Sequence, residues 1–403
     1  MPPSRRVLWL AVPVLAALLA IACRTETQPV GVQGVGPRAT VGPPRSYLLG
    51  FSATPHELTD RAYAATFDLA AQYGELLLLQ RPPAWQSFLP EATVAPTLRD
   101  QTLTDRDAAR ARGLKLMVVL DVFDPAARER LNALPSELRD RQLDDPDLRA
   151  ALIAEAVFIA RNEQPDYLGI GSEVNATFER NPAGYAQFLS VYAEAYDAVK
   201  LVAPEIVVFP TFQYEQLLGV IPWEPPHTPR WELLDQFAGR LDLFAVTSYP
   251  SFAYQVARKV PPQYYREIRD HTDLPVALVS VGYSSGQVRD GMNSSTPPEQ
   301  RRFLQRLFED ADWLGAPIVI WFAARDLTFA TSPPYDLLQT IGLRDVEDRP
   351  KEAWPAWVTA AHRPYDPAAA ERERREARAA EPTPAPTETG TSEPTATATP
   401  AGG

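Results

Sequence analysis

Leu76-Leu77-Leu78-Leu79 and Leu116-Met117-Val118-Val119-Leu120 are the stretches of sequence from which the fold follows. Both are apolar at every position, which is typical of strands in a parallel sheet whose two faces are covered by other elements. A strand with one face in water would alternate apolar and polar residues. These runs therefore predict a parallel sheet enclosed by helices, and they disfavour a half-exposed sheet.

Similar short apolar runs recur along the chain, separated by segments with helical periodicity. This alternation is typical of parallel strands joined by crossover helices. The predicted strands are Tyr47–Phe51, Glu75–Gln80, Lys115–Asp121, Tyr167–Gly171, Ile206–Pro210, Leu243–Ser248, Val276–Ser280 and Ile318–Phe322. The sequence thus predicts an α/β protein whose folded part, residues 45–366, is a single (β/α)8 (TIM) barrel.

Several short motifs predict where helices begin and end. Asp145-Pro146 supplies an N-cap followed by a first-turn proline. Thr296-Pro297-Pro298-Glu299 has the spacing of a capping box, with the carboxylate three residues after the threonine. Gly74 and Gly113 each follow a helical run and are predicted to take the left-handed conformation that often ends a helix.

The N-terminal segment is predicted to direct export. An apolar run from Val7 to Ala22 follows two arginines and ends at Cys23, the one cysteine of the chain. This is the layout of a secretory signal, and the run is short for a membrane-spanning helix. Leu19-Ala20-Ile21-Ala22-Cys23 resembles the lipobox of bacterial lipoproteins, which implies a lipid on Cys23. Ala20 stands where that motif usually has Leu, so plain signal cleavage stays an alternative.

The composition predicts how the other segments behave. Residues 24–44 are rich in Gly, Pro, Thr and Val and are predicted to be a flexible linker. Residues 367–403 begin with a charged Ala/Glu/Arg stretch, predicted to be helical, and end in a Pro/Thr-rich tail with too little apolar surface to fold. The net charge of −12 disfavours nucleic acid and anionic membrane surfaces as partners. We expect an exported monomer that contacts a membrane only through its N-terminal lipid.

The C-terminal ends of the predicted strands carry the candidate site, because working residues of (β/α)8 barrels stand there. Aromatic, amide and carboxylate side chains follow these strands. Flat aromatic faces with a hydrogen-bonding rim suit sugar rings, so carbohydrate is the expected partner. The candidate binding residues are Arg81, Trp85, Asn175, Gln213, Tyr249, Ser280, Tyr283 and Trp321.

A family resemblance supports this interpretation. Gly171-Ser172-Glu173-Val174-Asn175 resembles the Gly-Asn-Glu segment that ends the fourth strand in the large clan of retaining glycoside hydrolases. Ser248-Tyr249-Pro250 and Gly282-Tyr283-Ser284-Ser285 resemble its sixth- and seventh-strand motifs. The resemblance covers roughly Tyr47 to Trp357, and galactanases of the arabinogalactan type and related endoglycanases are the most similar members. It implies that Glu173 is the acid/base residue.

Two departures from the clan concern the chemistry. The seventh strand of the clan ends in a nucleophilic glutamate, and the matching residue here is Ser280, which cannot form the usual glycosyl ester. Ser172 replaces the asparagine that holds the sugar 2-hydroxyl, a contact that strengthens in the transition state. Both changes predict weakened or altered catalysis.

Glu173 consequently has three interpretations. It could be a general acid with a raised pKa, a residue that accepts hydrogen bonds from sugar hydroxyls, or an inherited carboxylate satisfied by a neighbour such as Arg81. Hydrolysis would also require a second carboxylate. The candidates are Asp121, Asp124, Glu215 and Asp326.

The leading hypothesis is a glycoside-hydrolase-like protein that acts on O-glycosidic bonds of a polysaccharide or oligosaccharide. The alternatives are a catalytically inactive carbohydrate-binding barrel on the cell surface and a barrel that serves only as an adhesion or scaffold module. The sequence has no HExxH motif, no cysteine cluster and no Gly-rich phosphate loop, so no cofactor and no metal are predicted.

Overall fold

Parallel strands form one curved sheet at the centre of the computed structural model, which describes residues 40–288 and 292–372. The strands are β1 (Leu48–Ser52), β2 (Leu76–Arg81), β3 (Lys115–Leu120), β6 (Tyr167–Ile170), β7 (Val207–Phe209), β8 (Thr211–Gln213), β9 (Phe244–Ser248), β10 (Val276–Val281) and β11 (Ile318–Trp321). Two further strands, β4 (Phe123–Asp124) and β5 (Ala127–Leu131), form an antiparallel hairpin directly after β3.

The order of the strands makes the sheet a barrel. It runs β7-β6-β3-β2-β1-β11-β10-β9-β8, so β7 and β8 lie at its two ends. Only Pro210 separates β7 from β8 in the chain, and proline has no N–H to give to a sheet ladder. The two segments therefore form one interrupted strand, which pairs with β6 on one side and β9 on the other and brings the sheet round to a (β/α)8 barrel.

All eight predicted barrel strands are confirmed. Seven agree with the structure to within one residue at each end, and the fifth continues beyond Pro210 to Gln213. The agreement has a simple cause, because strands buried on both faces are recognisable as uninterrupted apolar runs. Every residue of β1, β9, β10 and β11 is buried.

Helices cover the outside of the barrel, and 3-10 turns complete several connections. The α-helices are α1 (Asp60–Tyr73), α2 (Trp85–Phe88), α3 (Pro96–Ala111), α4 (Pro146–Phe158), α5 (Val174–Arg180), α6 (Pro182–Val202), α7 (Tyr214–Leu218), α8 (Glu232–Asp235), α9 (Pro297–Leu314) and α10 (Trp354–Ala361). A π-helical turn, Ile159–Glu163, continues α4.

The predicted helix boundaries hold in part. Asp145 caps α4 by accepting hydrogen bonds from the N–H groups of Asp147 and Leu148, as predicted. The capping box at α9 was wrong, since Thr296 makes no side-chain cap and Glu299 accepts from the N–H of Ala257 instead.

The two predicted helix-ending glycines behave differently. Gly113 has φ +70° and is left-handed, whereas Gly74 is extended at φ −162°. A β-carbon on Gly74 would lie 2.6 Å from the Leu49 carbonyl oxygen, so close packing against β1 accounts for that glycine.

The first residues of the described chain pack against its last residues. The N–H of Val41 donates to the His362 carbonyl (2.7 Å), and Arg363 donates to the Pro43 carbonyl (3.0 Å). The described part of the predicted 24–44 linker therefore contacts the domain.

The predictions for Cys23, for the 1–23 signal and for most of the 367–403 tail lie outside the described residues. Within the described ranges no helix is long and apolar enough to cross a membrane.

Candidate active site

Glu173 lies at the mouth of the barrel, meaning the C-terminal ends of the barrel strands and the loops that follow them. It is left-handed (φ 52°, ψ 44°) and directly precedes α5. Its N–H donates to the Thr211 hydroxyl (2.9 Å) at the start of β8. A left-handed glutamate costs on the order of 1–3 kcal/mol, so the surrounding contacts hold the residue in a conformation it would not adopt alone.

Both oxygens of the Glu173 carboxylate accept hydrogen bonds from the protein. Arg128 Nη2 donates to Oε2 (2.5 Å), and the Thr247 hydroxyl donates to Oε1 (2.8 Å). The side chain is 20% exposed, so solvent reaches it. Glu173 is therefore an accessible carboxylate held in one orientation by an ion pair and a hydroxyl.

Arg128 is the cation at the centre of this network. It lies on β5 of the hairpin that follows β3, and its buried guanidinium also donates to Asp121 Oδ1 (2.8 Å) and the Phe123 carbonyl (3.0 Å). Burial acts to lower the pKa of Arg128, but the negative charges of the adjacent Asp121 and Glu173 outweigh burial. The pKa of Arg128 is therefore higher than that of a free arginine. One permanent positive charge thus lies between two carboxylates.

Asp121 is the second carboxylate of the network. Burial raises the pKa of the Asp121 carboxyl, and the ion pair with Arg128 opposes that rise. The Gln80 amide donates to Asp121 Oδ2 (3.2 Å) and reaches the Ser172 hydroxyl (3.4 Å). Gln80 itself is exposed, so its amide is a polar group that solvent or a ligand in the mouth can contact.

Ser280 and Tyr249 face each other at the ends of the neighbouring strands β10 and β9. Ser280 lies near the end of β10, beside an irregularity in the register with β9, and its hydroxyl is 2.9 Å from the Tyr249 hydroxyl. Burial, followed by the charge of Glu173, raises the pKa of Tyr249, so its phenol stays protonated at neutral pH. This part of the mouth therefore offers two hydroxyl groups.

Four predicted binding residues lie away from the mouth and are reassigned to the core. Arg81 forms an ion pair with Glu163 in the π-helical turn. The Trp85 indole donates to the Asn132 carbonyl (2.7 Å), Tyr283 stacks on Phe303 of α9, and Trp321 has 0% exposure. All four side chains are buried, so they contribute to packing.

Glu215 and its neighbours are likewise structural. Glu215 is fully buried and accepts four hydrogen bonds, from Ser248, Tyr264, Gln213 and the N–H of Tyr249. Burial raises the pKa of the Glu215 carboxyl, and the hydrogen bonds from Ser248, the N–H of Tyr249 and Tyr264 oppose that rise. Asn175 makes two hydrogen bonds with the backbone of Gln213. These residues join β8, β9 and α5 beneath the mouth.

The remaining acidic candidates are tied to cations of their own. Asp124 pairs with Arg130 (3.0 Å) on the β4–β5 hairpin. Asp326 pairs with Lys351 (2.5 Å), and burial raises the pKa of its carboxyl. Of the four predicted second carboxylates, Asp121 alone shares a partner with Glu173 among the described contacts.

Sequence reasoning missed Arg128, Thr247, Gln80 and Phe322. Phe322 follows β11 and packs edge-on against the Tyr249 ring at 6.0 Å. One available signal was charge balance, because Asp121 and Glu173 at neighbouring strand ends need a nearby cation. No group of three or more His, Cys, Asp or Glu side chains that could hold a metal occurs within residues 40–288 and 292–372.

Solved structures with the same fold include several glycoside hydrolases. The exo-beta-1,4-mannosidase Op5Man5 from Opitutaceae bacterium strain TAV5 matches with a TM-score of 0.60 and 19% identity over 80% of this chain. This chain spans only 60% of that protein. A GH5_18 protein from Streptomyces cattleya, solved in complex with Manβ1-4GlcNAc, matches with a TM-score of 0.57 and 19% identity, over 85% of this chain and 83% of that one.

A third match extends the likeness to another group. The GH53 catalytic domain from Ignisphaera aggregans has a TM-score of 0.54 and 14% identity, over 81% of this chain and 99% of that chain. No protein-family model matches the sequence, and no curated protein matches it. At these identities the structural likeness shows the (β/α)8 fold of glycoside hydrolases.

Proposed function

We propose that this chain is a carbohydrate-binding barrel of glycoside-hydrolase type that holds a neutral glycan at its mouth without cleaving it by the clan's double displacement. The observation that carries the proposal is the Asp121–Arg128–Glu173 bridge. Ser280, which the resemblance matches to the nucleophile of the clan, supports it. The two solved structures named for mannosidase activity and for a Manβ1-4GlcNAc complex support carbohydrate as the ligand class.

Loss of hydrolysis follows from what glycosidases need. Their two carboxyl groups flank the scissile bond, about 5–5.5 Å apart when one is a nucleophile and about 6.5–9.5 Å apart when a water lies between them. Here the group between Asp121 and Glu173 is a guanidinium that donates to both. Neither a glycosidic oxygen nor a water can occupy the place of that guanidinium.

Binding needs less than hydrolysis does. Sugars require polar groups with fixed orientation and an apolar face. Glu173 and Gln80 supply an accessible carboxylate and an exposed amide, and Phe322 adds a partly exposed ring. Gln80 also lies beside Ser172, the residue that the resemblance matches to the sugar-binding asparagine of the clan. We therefore assign ligand contact to Gln80 and Glu173.

Hydrolysis with Glu173 as general acid is the second candidate function. It is favoured by the partial exposure of Glu173 at the end of the fourth barrel strand, where the clan places its acid/base. It requires Arg128 to move away when substrate binds, with Asp121 as the second carboxylate. Under this alternative, Glu173→Gln abolishes the release of reducing ends.

The location of the barrel is also a proposal. We propose export and attachment to the membrane through a lipid on Cys23, supported by the basic start, the short apolar run and the single cysteine. Expression in a bacterial host with a radiolabelled fatty acid tests it. We expect label on the wild-type protein and none on Cys23→Ser, and an unlabelled wild type would contradict lipidation.

A calorimetric titration tests the binding function. Wild type is titrated with β-1,4-linked manno- and gluco-oligosaccharides beside Gln80→Ala, Glu173→Gln and Gln305→Ala, the last being an exposed glutamine on α9 outside the barrel. We expect saturable binding by wild type and Gln305→Ala, and about tenfold weaker binding by the two mouth variants, because each loses a polar contact worth about 1.4 kcal/mol. Equal affinity in all four proteins would contradict the assignment, and the absence of binding would favour a scaffold role.

A further inference from the structure

A row of aromatic side chains leads from the mouth to the protein surface. Tyr249 stacks on Phe252 with ring centroids 5.4 Å apart, and Phe252 meets Trp223 at 5.2 Å. Exposure increases along the row, from 7% for Tyr249 to 41% for Trp223. The inner end lies beside Ser280, and the outer end stands in water.

The outer end of this aromatic row is held in place by the protein. Trp223 lies in the loop between α7 and α8, next to Pro222 and close to Pro225 and Pro226, which restrict the backbone. The adjacent Glu224 forms an ion pair with Arg180 at the end of α5, the helix that begins directly after Glu173. Trp223 is thus tied to the element that positions the site.

Trp313 is another exposed tryptophan of this molecule and serves as a comparison for Trp223. It lies on α9 at the outer surface, is 47% exposed, and has the Arg266 guanidinium 5.4 Å from its ring. Trp223 is exposed to a similar degree but belongs to a row of rings that continues into the mouth. Position, rather than exposure, distinguishes the two tryptophans.

We propose that Phe252 and Trp223, the partly exposed outer rings of the aromatic row, form an extended binding surface for a neutral, linear oligosaccharide that continues out of the mouth. The proposal rests on the proposed function, because it assumes that sugar occupies the mouth. Aromatic rings pack against the apolar faces of sugar rings, and a row of them suits several consecutive sugars. The net charge of −12 disfavours an anionic polysaccharide, and Arg180 neutralises Glu224, the residue next to Trp223.

The test compares short and long ligands in matched tryptophan variants. Wild type, Trp223→Ala and the control Trp313→Ala are titrated with mannobiose, mannohexaose, cellobiose and cellohexaose. We expect wild type and Trp313→Ala to bind a hexasaccharide at least about tenfold tighter than its disaccharide. Trp223→Ala is expected to lose about tenfold in hexasaccharide affinity and to bind the disaccharide as wild type does.

The outcomes separate this inference from the proposed function. Unchanged hexasaccharide binding by Trp223→Ala, or an equal loss in Trp313→Ala, overturns the aromatic row while the mouth keeps its ligand. Failure of wild type to bind any of the four sugars overturns the proposed function and the row with it. Trp223→Phe, which retains a ring, is expected to keep most of the hexasaccharide affinity, and a loss equal to that of Trp223→Ala would contradict ring packing.

Discussion

Two buried arginines, Arg128 and Arg81, make ion pairs with carboxylates on opposite sides of the barrel wall. Arg128 lies in the mouth between Asp121 and Glu173. Arg81, the last residue of β2, points outward to Glu163, which has no exposed surface. The first pair includes a carboxylate that solvent reaches, and the second is sealed between the sheet and the helices.

The difference between these arginines shows how function and stability are separated in this barrel. Arg81 Nε and Glu163 Oε2 are buried without a hydrogen-bond partner. The nearby carboxyl groups of Glu155 and Asp105 act to raise the pKa of Arg81. Such a cluster supports the packing of helices and offers nothing to a ligand. Near Arg128, hydroxyl, amide and aromatic groups surround an accessible carboxylate.

The largest predicted effect is the loss of stability in Arg81→Met. Removing the guanidinium leaves the Glu163 carboxylate buried without its partner, which costs about 3–5 kcal/mol of unfolding free energy. Urea denaturation followed by circular dichroism measures it. The double variant Arg81→Met/Glu163→Met should recover most of the loss, and a single variant as stable as wild type would show that the ion pair is not needed.

The second prediction concerns pH and the same sealed cluster. Burial raises the pKa of Glu155 to about 7, from 4.5 in an unfolded chain. Between these values the folded protein holds a proton that the unfolded chain releases, so stability falls as pH rises from about 5 to 7, by on the order of 2–3 kcal/mol. Asp105, with a pKa of about 6 that is raised mainly by burial, acts in the same direction.

Stability measured at several pH values between 5 and 8 checks this expectation. Glu155→Gln should show a flatter profile, because its amide does not titrate and its oxygen can still accept from the N–H of Ala84, as Glu155 does at 2.8 Å. An equally steep fall in Glu155→Gln would assign the pH dependence to other groups.

The third prediction is that Arg128→Met destabilises the protein less than Arg81→Met does. Asp121 keeps the hydrogen bond from Gln80, and solvent can hydrate Glu173, so both freed charges are partly satisfied and we expect a loss of about 2 kcal/mol. Denaturation at pH 7 compares the two variants directly. A larger loss of unfolding free energy in Arg128→Met than in Arg81→Met would contradict the idea that solvent hydrates Glu173 in the mouth.

The smallest predicted effect is on ligand affinity in Phe322→Ala. Phe322 is partly exposed at the mouth beside Tyr249, so removing its ring should weaken glycan binding about fivefold, or about 1 kcal/mol. Calorimetry with mannohexaose measures it. Phe329→Ala, which changes another partly exposed ring of the same loop, serves as the control, and equal losses in both variants would argue against a specific contact.

The fold was predictable because it depends on runs of apolar residues, which the sequence displays directly. The strands and their order along the chain followed from these runs, and the structure confirms them. The break at Pro210 was not anticipated, since a proline at a predicted strand end does not reveal that pairing resumes in the next residue.

The site was harder to predict because the runs do not show which face each residue occupies. Successive residues of a strand point to opposite sides, so one position separates the mouth from the outer core. Gln80 faces the mouth and Arg81 the helices; Thr247 contacts Glu173 and Ser248 contacts Glu215. Phe322 and Trp321 differ in the same way.

A strand that is apolar throughout has no alternation of polar and apolar residues, so its sequence does not show which residues face the mouth and which face the helices. The sequence predicted Arg81 and Trp321 in the mouth because they lie at the ends of predicted strands. Arg128 was missed for another reason, since it comes from a hairpin inserted after β3. Arg128 reaches Asp121 and Glu173 because the hairpin folds over the mouth, and the sequence does not show that position.

One assay tests the central claim, that the mouth holds a neutral glycan without cleaving it. Wild type is incubated with each oligosaccharide that it binds in calorimetry, at saturating concentration, and reducing ends are quantified over a day beside Glu173→Gln and a buffer control. The account predicts that wild type, Glu173→Gln and buffer release reducing ends at the same rate. Release by wild type that Glu173→Gln abolishes would contradict it and would identify the barrel as an active glycoside hydrolase.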